Sequence, residues 1–283
     1  MAEADTARPI PVLQDPATKK RGLSGSLFSW LTAASDALVS IIFPADCRIC
    51  GELLVDSRRV PICPKCLATF ERIPLTSCVI CGCPLSGSQL KEGQPRLCPA
   101  CQNKTYGFDC ARSFAIYQGA LVRAILLLKF EQIEPLGVWF AERLAEVVKS
   151  EGDKFVADVV VPVPLHRERQ RERGYNQAAL ISKPLAKRLR LPHKKLLLMR
   201  TKSRPEKRIL TLEERWDSVR GAFAIRQGSR VDNLRVLLVD DVLTTGATLD
   251  ACTRALREAG AKSVVGLTVA RAIRTLLPSS VEW

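Results

Sequence analysis

Residues 236–249, VLLVDDVLTTGATL, join a run of four apolar residues to two adjacent aspartates and then to a turn of small hydroxylated residues. Asp240 and Asp241 fall at the carboxyl end of a strand formed by Val236, Leu237, Leu238 and Val239. Successive strand residues point to opposite sides, so two carboxylates there can approach different hydroxyls, or a hydroxyl and a metal-bound water. Left without partners they would repel one another and resist burial, so the pair calls for a diol or a cation. Thr244, Thr245, Gly246, Ala247 and Thr248 follow. They offer hydroxyl donors, a glycine free to take positive φ, and backbone N–H groups at a helix N-terminus, which together suit a phosphate dianion. The stretch has no Gly-Lys-Ser/Thr and no G-x-G-x-x-G, so it is neither a Walker loop nor a dinucleotide fingerprint. A diol grip beside a phosphate grip describes one ligand, a ribose 5-phosphate. Simple helix capping would need only one Thr or Asp.

The second candidate chemistry is thiolate. Ten of the eleven cysteines lie between 47 and 110, and eight form C-x-x-C pairs: Cys47/Cys50, Cys63/Cys66, Cys78/Cys81 and Cys98/Cys101. Gaps of 12 residues (51–62) and 16 residues (82–97) separate the pairs within each half, the spacing of zinc ribbons. No histidine precedes His166, so every ligand must be thiolate, giving two four-cysteine Zn²⁺ sites. Sequential pairing (47, 50, 63, 66 and 78, 81, 98, 101) is the simplest, and a cross-braced pairing has the same spacings. Disulfides and redox C-x-x-C chemistry are the alternatives; in a reducing cytoplasm disulfides rarely persist. Four-thiolate zinc has no open position for catalysis. Its expected role is structural, with about 10–16 kcal/mol of apparent folding free energy per site, and docking of nucleic acid or protein is the alternative. Cys83 could compete with Cys81 as a ligand; Cys83 and Cys110 are otherwise small buried hydrophobes.

The elements that must position these groups follow from periodicity. After the last cysteine pair, apolar segments at helical spacing alternate with short apolar runs, the pattern of βα units and a mainly parallel sheet. ALVRAILLLKF and LGVWFAERLAEVVKS read as helices, FVADVVVPVPL as a strand ending in prolines, and YNQAALISKPLAKRLR as a helix interrupted at Pro184. TLEERWDSV opens with a capping box, Thr211 and Glu214. RVLLVD and KSVVGLTVA read as buried strands, with LDACTRALREAG as the crossover helix closed by Gly260. The loop after RVLLVD then lies where open parallel sheets bind ligands.

The 283 residues suffice for one large or two ordinary domains, and 47% hydrophobic with 25% charged residues is the composition of a soluble globular protein. A formal net charge of +14 favours polyanionic or phosphorylated partners. The expected organisation is a disordered leader (1–26), an amphipathic helix (27–46), a double zinc ribbon (47–113), an α/β domain (114–275) and a tail (276–283). The leader has no apolar h-region. LFSWLTAASDALVSIIF, 27–43, is the one transmembrane candidate. Asp36 near its centre would cost roughly 2.5–3.5 kcal/mol on insertion, so a packed amphipathic helix and a cytoplasmic location are expected.

Four hydrophobic residues, two acids, hydrophobics and a Thr-Thr-Gly-x-Thr loop resemble the phosphoribosyl-pyrophosphate signature of type I phosphoribosyltransferases. A wider resemblance, over about 40–271, is to the ComF family of competence and DNA-uptake proteins. It rests on VPVPLHRERQRERGYNQAALIS, YQGALVRAILLLKF, ERWDSVRGAF and the cysteine knuckles. Lys207 stands where that family usually has Gln, Ser218 where it has Asn, and Tyr175 where Phe is commoner. The fold implied is a type I phosphoribosyltransferase-like parallel sheet flanked by helices, preceded by a small zinc-ribbon domain. Carried over by position, Arg173 and Gly174 form a pyrophosphate loop, and Arg200 to Arg208 a hood over the substrate. Arg167, Arg169 and Arg171 read equally well as a solvated face.

The resemblance implies a glycosyltransferase-class activity: transfer of ribose 5-phosphate from phosphoribosyl pyrophosphate to an unknown acceptor, with Mg²⁺ bridging pyrophosphate and ribose. No residue announces itself as a base for that acceptor. The alternative is a non-catalytic DNA-uptake component or ligand sensor, with single-stranded DNA or a helicase as partner for the ribbons and basic surface. An aromatic content of 6% without aromatic-basic interleaving speaks against a stacking platform for single strands.

Overall fold

Four apolar runs build one sheet: β1 (Cys110–Ile116), β2 (Val159–Pro162), β5 (Arg235–Leu243) and β6 (Ser263–Arg271), in the order β1-β6-β5-β2 with every pairing parallel. The computed structural model describes residues 45–54, 60–90, 93–103, 106–203 and 211–273. All of these except Ala45 belong to one compact unit, Asp46–Leu54 with Arg58–Trp283. The expected leader, nearly all of the 27–46 helix, the 276–283 tail and the 204–208 part of the hood lie outside the described residues. Among those described, no helix is long and apolar enough to cross a membrane.

Alternation along β5 divides the core. Val236 and Leu238 join Val159, Val161 and Val264 on one face, whereas Leu237 and Val239 join Val160, Val265 and Leu267 on the other. All four β5 residues are fully buried, each contributing roughly 1.5–3 kcal/mol. A one-residue slip of register would exchange the two sets and is excluded by their burial. Helix α8 (Ala247–Glu258) covers the first face through Leu249, Cys252 and Leu256. Helices α4 (Glu134–Glu151) and α6 (Gln177–Leu189) cover the second through Phe140, Leu144, Ile181 and Leu185. Two short helices, α1 (Pro64–Ala68) and α2 (Pro99–Gln102), belong to the cysteine-rich part, and α3 (Gly119–Phe130) precedes α4.

The helix ends follow their sequences. Asn176 caps α6, its side chain accepting from Ala178 N at 2.9 Å. Gly260 closes α8 at φ 94°, with Gly260 N donating to Arg257 O at 2.9 Å and Ala261 N to Leu256 O at 3.0 Å, a Schellman pair. The Thr211/Glu214 capping box opens α7 (Leu212–Asp217) as expected. The interruption expected at Pro184 does not occur: α6 continues to Leu189.

Two other expectations are corrected. The strand carrying the aspartates does not end on them. It pairs with β6 as far as Leu243↔Arg271, so the turn begins at Thr244. The boundary drawn between 113 and 114 falls inside β1, which is buried throughout. The cysteine-rich segment lies along that strand: Ile116 N donates to Glu71 O at 2.7 Å and Ala111 N to Ile80 O at 2.6 Å. An otherwise open sheet edge is thereby covered. A small antiparallel pair, β3 (Leu198–Arg200) with β4 (Phe223–Ile225), stands apart from this sheet.

Candidate functional site

The strand pleat sends the two aspartates to opposite faces of the sheet, as the sequence requires. Asp241 follows Leu237 and Val239 in parity, and its Oδ2 accepts from Gln177 Nε2 of α6 at 3.3 Å. Asp240 follows Val236 and Leu238, and its Oδ1 accepts from Asp241 N at 2.9 Å. Burial, and next the charge of Asp241, push the Asp240 carboxyl well above the usual carboxylate range. Asp240 is thus held where it does not ionise freely without a cation or hydroxyl donors. Tyr117, just beyond β1, lines the same cleft, and its phenol is pushed up to about 12 by burial and then by Asp241.

Thr244, Thr245, Ala247 and Thr248 line this cleft beside the aspartates, at the N-terminus of α8. Gly246 caps that helix at φ 82° and does not line the cleft. Its conformation and its space both demand glycine, because a Cβ would sit 2.7 Å from a ring carbon of Tyr106. Arg173 lines the cleft; Gly174, at φ 74°, instead terminates α5 (Arg167–Arg173). The pyrophosphate loop expected at Arg173-Gly174 is therefore the end of a short helix followed by a left-handed cap.

That helix resolves the alternating Arg/Glu stretch. Arg169 and Arg173, one turn apart, face the cleft, whereas Arg167 and Arg171 are exposed. Arg173 stands over the Phe130 ring at 5.0 Å and lies 3.5 Å from Gln177 Oε1, so Gln177 connects it to Asp241. Burial, and next the like charge of Arg169, lower the Arg173 guanidinium from its ordinary value. Burial does the same at Arg200, which is held by Lys202 O at 3.0 Å and lies over Phe223. Lys129 and Arg215 complete five cations against two carboxylates on the cleft wall. Such a concentration of positive charge in a cleft suits an anion. Lys129, Arg215 and His166 also line the cleft and were not singled out from sequence, whereas Arg200 opens the expected hood and Arg169 was read equally as a solvated face.

The cysteines resolve into the sequential pairing. Cys47, Cys50, Cys63 and Cys66 form one group and Cys78, Cys81, Cys98 and Cys101 the other, with the sulfurs of each within 4.8 Å of one another. Sulfur separations of 3.9 Å (Cys47–Cys66), 3.7 Å (Cys50–Cys63) and 3.6 Å (Cys81–Cys98) match the roughly 3.8 Å edge of a tetrahedron with 2.3 Å metal–sulfur bonds. They are far from a disulfide. Each first knuckle closes on a glycine of positive φ, Gly51 and Gly82, whose N–H groups return to Cys47 O at 2.8 Å and Cys78 O at 2.9 Å. Both groups could hold one tetrahedral ion. Cys83 belongs to neither, and Cys110 is buried at the start of β1.

A parallel sheet with two carboxylates near the end of a central strand, a hydroxylated turn into a helix and a basic wall has its cleft where open α/β sheets bind ligands. The phosphoribosyl transferase domain family matches residues 133–281, more than half of the chain, and the chain belongs to that family. Its sheet is of the type I phosphoribosyltransferase kind. Among curated proteins it is 36% identical over 116 residues to Competence protein F of Haemophilus influenzae, covering 41% of this chain and 51% of that protein. The chain thus spans about half the length of that relative. It is 28% identical over 203 residues to Competence protein ComFC of Bacillus subtilis (65% and 81% covered) and 28% over 206 residues to DNA utilization protein YhgH of Escherichia coli K12 (72% and 87%). These names agree with the ComF resemblance read from the sequence. Adenine phosphoribosyltransferase from Leishmania donovani superposes at a TM-score of 0.35, with 20% identity over 53% of this chain and 58% of that one.

Proposed function

We propose that the cleft binds phosphoribosyl pyrophosphate with Mg²⁺, in a protein of the ComF type linked to competence, and that it transfers ribose 5-phosphate to an acceptor. The observation that carries this reading is the convergence of Asp240, Asp241 and the Thr244–Thr248 turn with Arg169, Arg173 and Lys129 in one cleft. Asp240 and Asp241 take the ribose diol from the two sides of β5. Backbone N–H groups of the turn and its threonine hydroxyls take the 5′-phosphate, aided by the dipole of α8. Arg169, Arg173 and Lys129 take the pyrophosphate, whose departure their charge would favour. Mg²⁺, bound with the substrate, would neutralise pyrophosphate charge next to the ribose hydroxyls. Zn²⁺ is the ion that four thiolates at these separations fit, in a structural role.

The relatives named for competence and DNA utilization support a second reading, in which the same pocket senses the ligand and the ribbons and basic surface engage single-stranded DNA or a helicase. One experiment orders the two. In the transfer reading, saturating phosphoribosyl pyrophosphate with Mg²⁺ stabilises the protein, by about 2.7 kcal/mol at a hundredfold excess over Kd. Thr244→Val with Thr248→Val removes most of that gain, and pyrophosphate is released when nucleobases or cell extract are added. Stabilisation without release under any acceptor would leave the sensor; no stabilisation of the wild type would end both.

A further inference from the structure

The two four-cysteine groups are not equivalent in what lies behind them. The first packs towards α3, where Arg123 Nη1 donates to Ile49 O at 2.7 Å. The second stands directly behind the turn assigned to the 5′-phosphate. Arg271, the last residue of β6, is 6% exposed. Its Nη2 points at Cys81 Sγ at 3.7 Å, while its Nη1 donates to Leu243 O at 2.9 Å and also to Thr244 O. One buried guanidinium therefore joins a metal-ligand sulfur to the first residue of the turn. A second link runs beside it. Tyr106 packs against the Cys78 group, donates its hydroxyl to Thr245 O at 3.2 Å and lies under Gly246. Asp250 of α8 holds the neighbouring Gly107 N at 2.6 Å, fixing the tyrosine segment to the same helix.

A divalent ion with four thiolates carries two formal negative charges, so it provides a counter-charge for a buried guanidinium. Without the ion nothing fixes Cys81 Sγ in place, so the buried guanidinium that spans it and the turn loses a fixed partner on one side and must readjust. The atoms that must then move include the carbonyls of Leu243 and Thr244. We propose that Arg271 and Tyr106 are positioning residues that make the phosphate turn depend on the second four-cysteine site, so that the metal at that site and the 5′-phosphate at the turn strengthen one another's binding. This rests on the reading of the cleft given above. It adds that ligand affinity is set by the state of one metal site and not of the other.

The test measures, by calorimetry, the affinity for ribose 5-phosphate, which engages the turn, and for inorganic pyrophosphate with Mg²⁺, which engages the Arg173 side. Wild type is compared with Arg271→Met, Arg271→Lys and Tyr106→Phe. The expected result is a loss of about tenfold in ribose 5-phosphate affinity for Arg271→Met, within the 5–150-fold usual for coupled sites. Arg271→Lys recovers part of it, Tyr106→Phe loses less, and pyrophosphate affinity is unchanged. Equal weakening of both ligands, or of neither, would overturn the proposal. Should Arg271→Met fail to fold, Tyr106→Phe and the wild type still decide it. By reciprocity, ribose 5-phosphate must raise the affinity of the wild-type protein for one of two zinc ions, read as equilibrium competition with a chelating dye, and leave the other unaffected. Equal affinity with and without the ligand contradicts the coupling. A wild type that binds neither ligand overturns the reading of the cleft and this inference together; one that binds both, with variants and metal affinity unchanged, overturns the inference alone.

Discussion

At the residue scale the site trades stability for binding. The raised Asp240 carboxyl gives the direction. A carboxyl whose folded value lies above its unfolded value of about 3.9 supports the fold fully below that value and loses this support as pH rises through the folded one. Charged Asp240 is therefore a cost to the ligand-free protein at neutral pH, relieved by hydroxyl donors or a cation. Asp240→Asn is expected to melt about 2–4 °C higher than wild type at pH 8, the shift of roughly 1 kcal/mol in a domain of this size. The gap should narrow towards pH 4; an Asn variant that melts lower at pH 8 would contradict this. The aspartates and the threonines were legible in the sequence because their chemistry is local: adjacent carboxylates and a hydroxylated turn have few other uses. Lys129 and Arg215 were not, because a cation on a helix becomes a cleft residue only when distant elements meet.

At the element scale, α4 and α6 come close together at Gly137, where an added Cβ would lie 2.8 Å from Leu180 O. Pro184, four residues on, has no N–H to offer that carbonyl, so the helix keeps its course while one carbonyl faces a neighbour without a side chain. The sequence announced the proline and misjudged its effect, since the compensating glycine is 47 residues away in another helix. Gly137→Ala is expected to cost about 1–3 kcal/mol in denaturant unfolding, with zinc content unchanged. A variant as stable as wild type would show that this contact is loose. The β1 strand was similarly hidden. Its residues, CARSFAI, include Arg112, and that arginine is buried with Glu151 Oε1 at 2.8 Å, Val79 O at 3.0 Å and Ala111 O at 2.9 Å receiving it.

At the scale of the whole molecule, the cysteine-rich part is built onto the sheet through β1 and reaches round to the phosphate turn. The eight ligands and their spacing were plain in the sequence. Their pairing needed three-dimensional separations, and their attachment to the sheet needed the hydrogen bonds along β1. Metal analysis should find two zinc ions per chain. Structural zinc contributes about 10–16 kcal/mol apparent per site, as much as the whole stability of an ordinary domain, about 5–15 kcal/mol. Complete chelation should therefore unfold the cysteine-rich part, seen as loss of circular dichroism signal and a lower Tm. A fully stripped protein with unchanged melting would contradict a structural role. The formal charge of +14 fits anionic ligands of any size, and five of those cations line the cleft wall.

The measurement closest to the central claim is calorimetric titration with phosphoribosyl pyrophosphate and Mg²⁺ of the wild type and of the Asp240→Asn/Asp241→Asn double variant. Saturable one-to-one binding by the wild type, weakened at least a hundredfold in the double variant, is the predicted result. A wild type that does not bind, or a double variant that binds equally well, would contradict the assignment of the cleft.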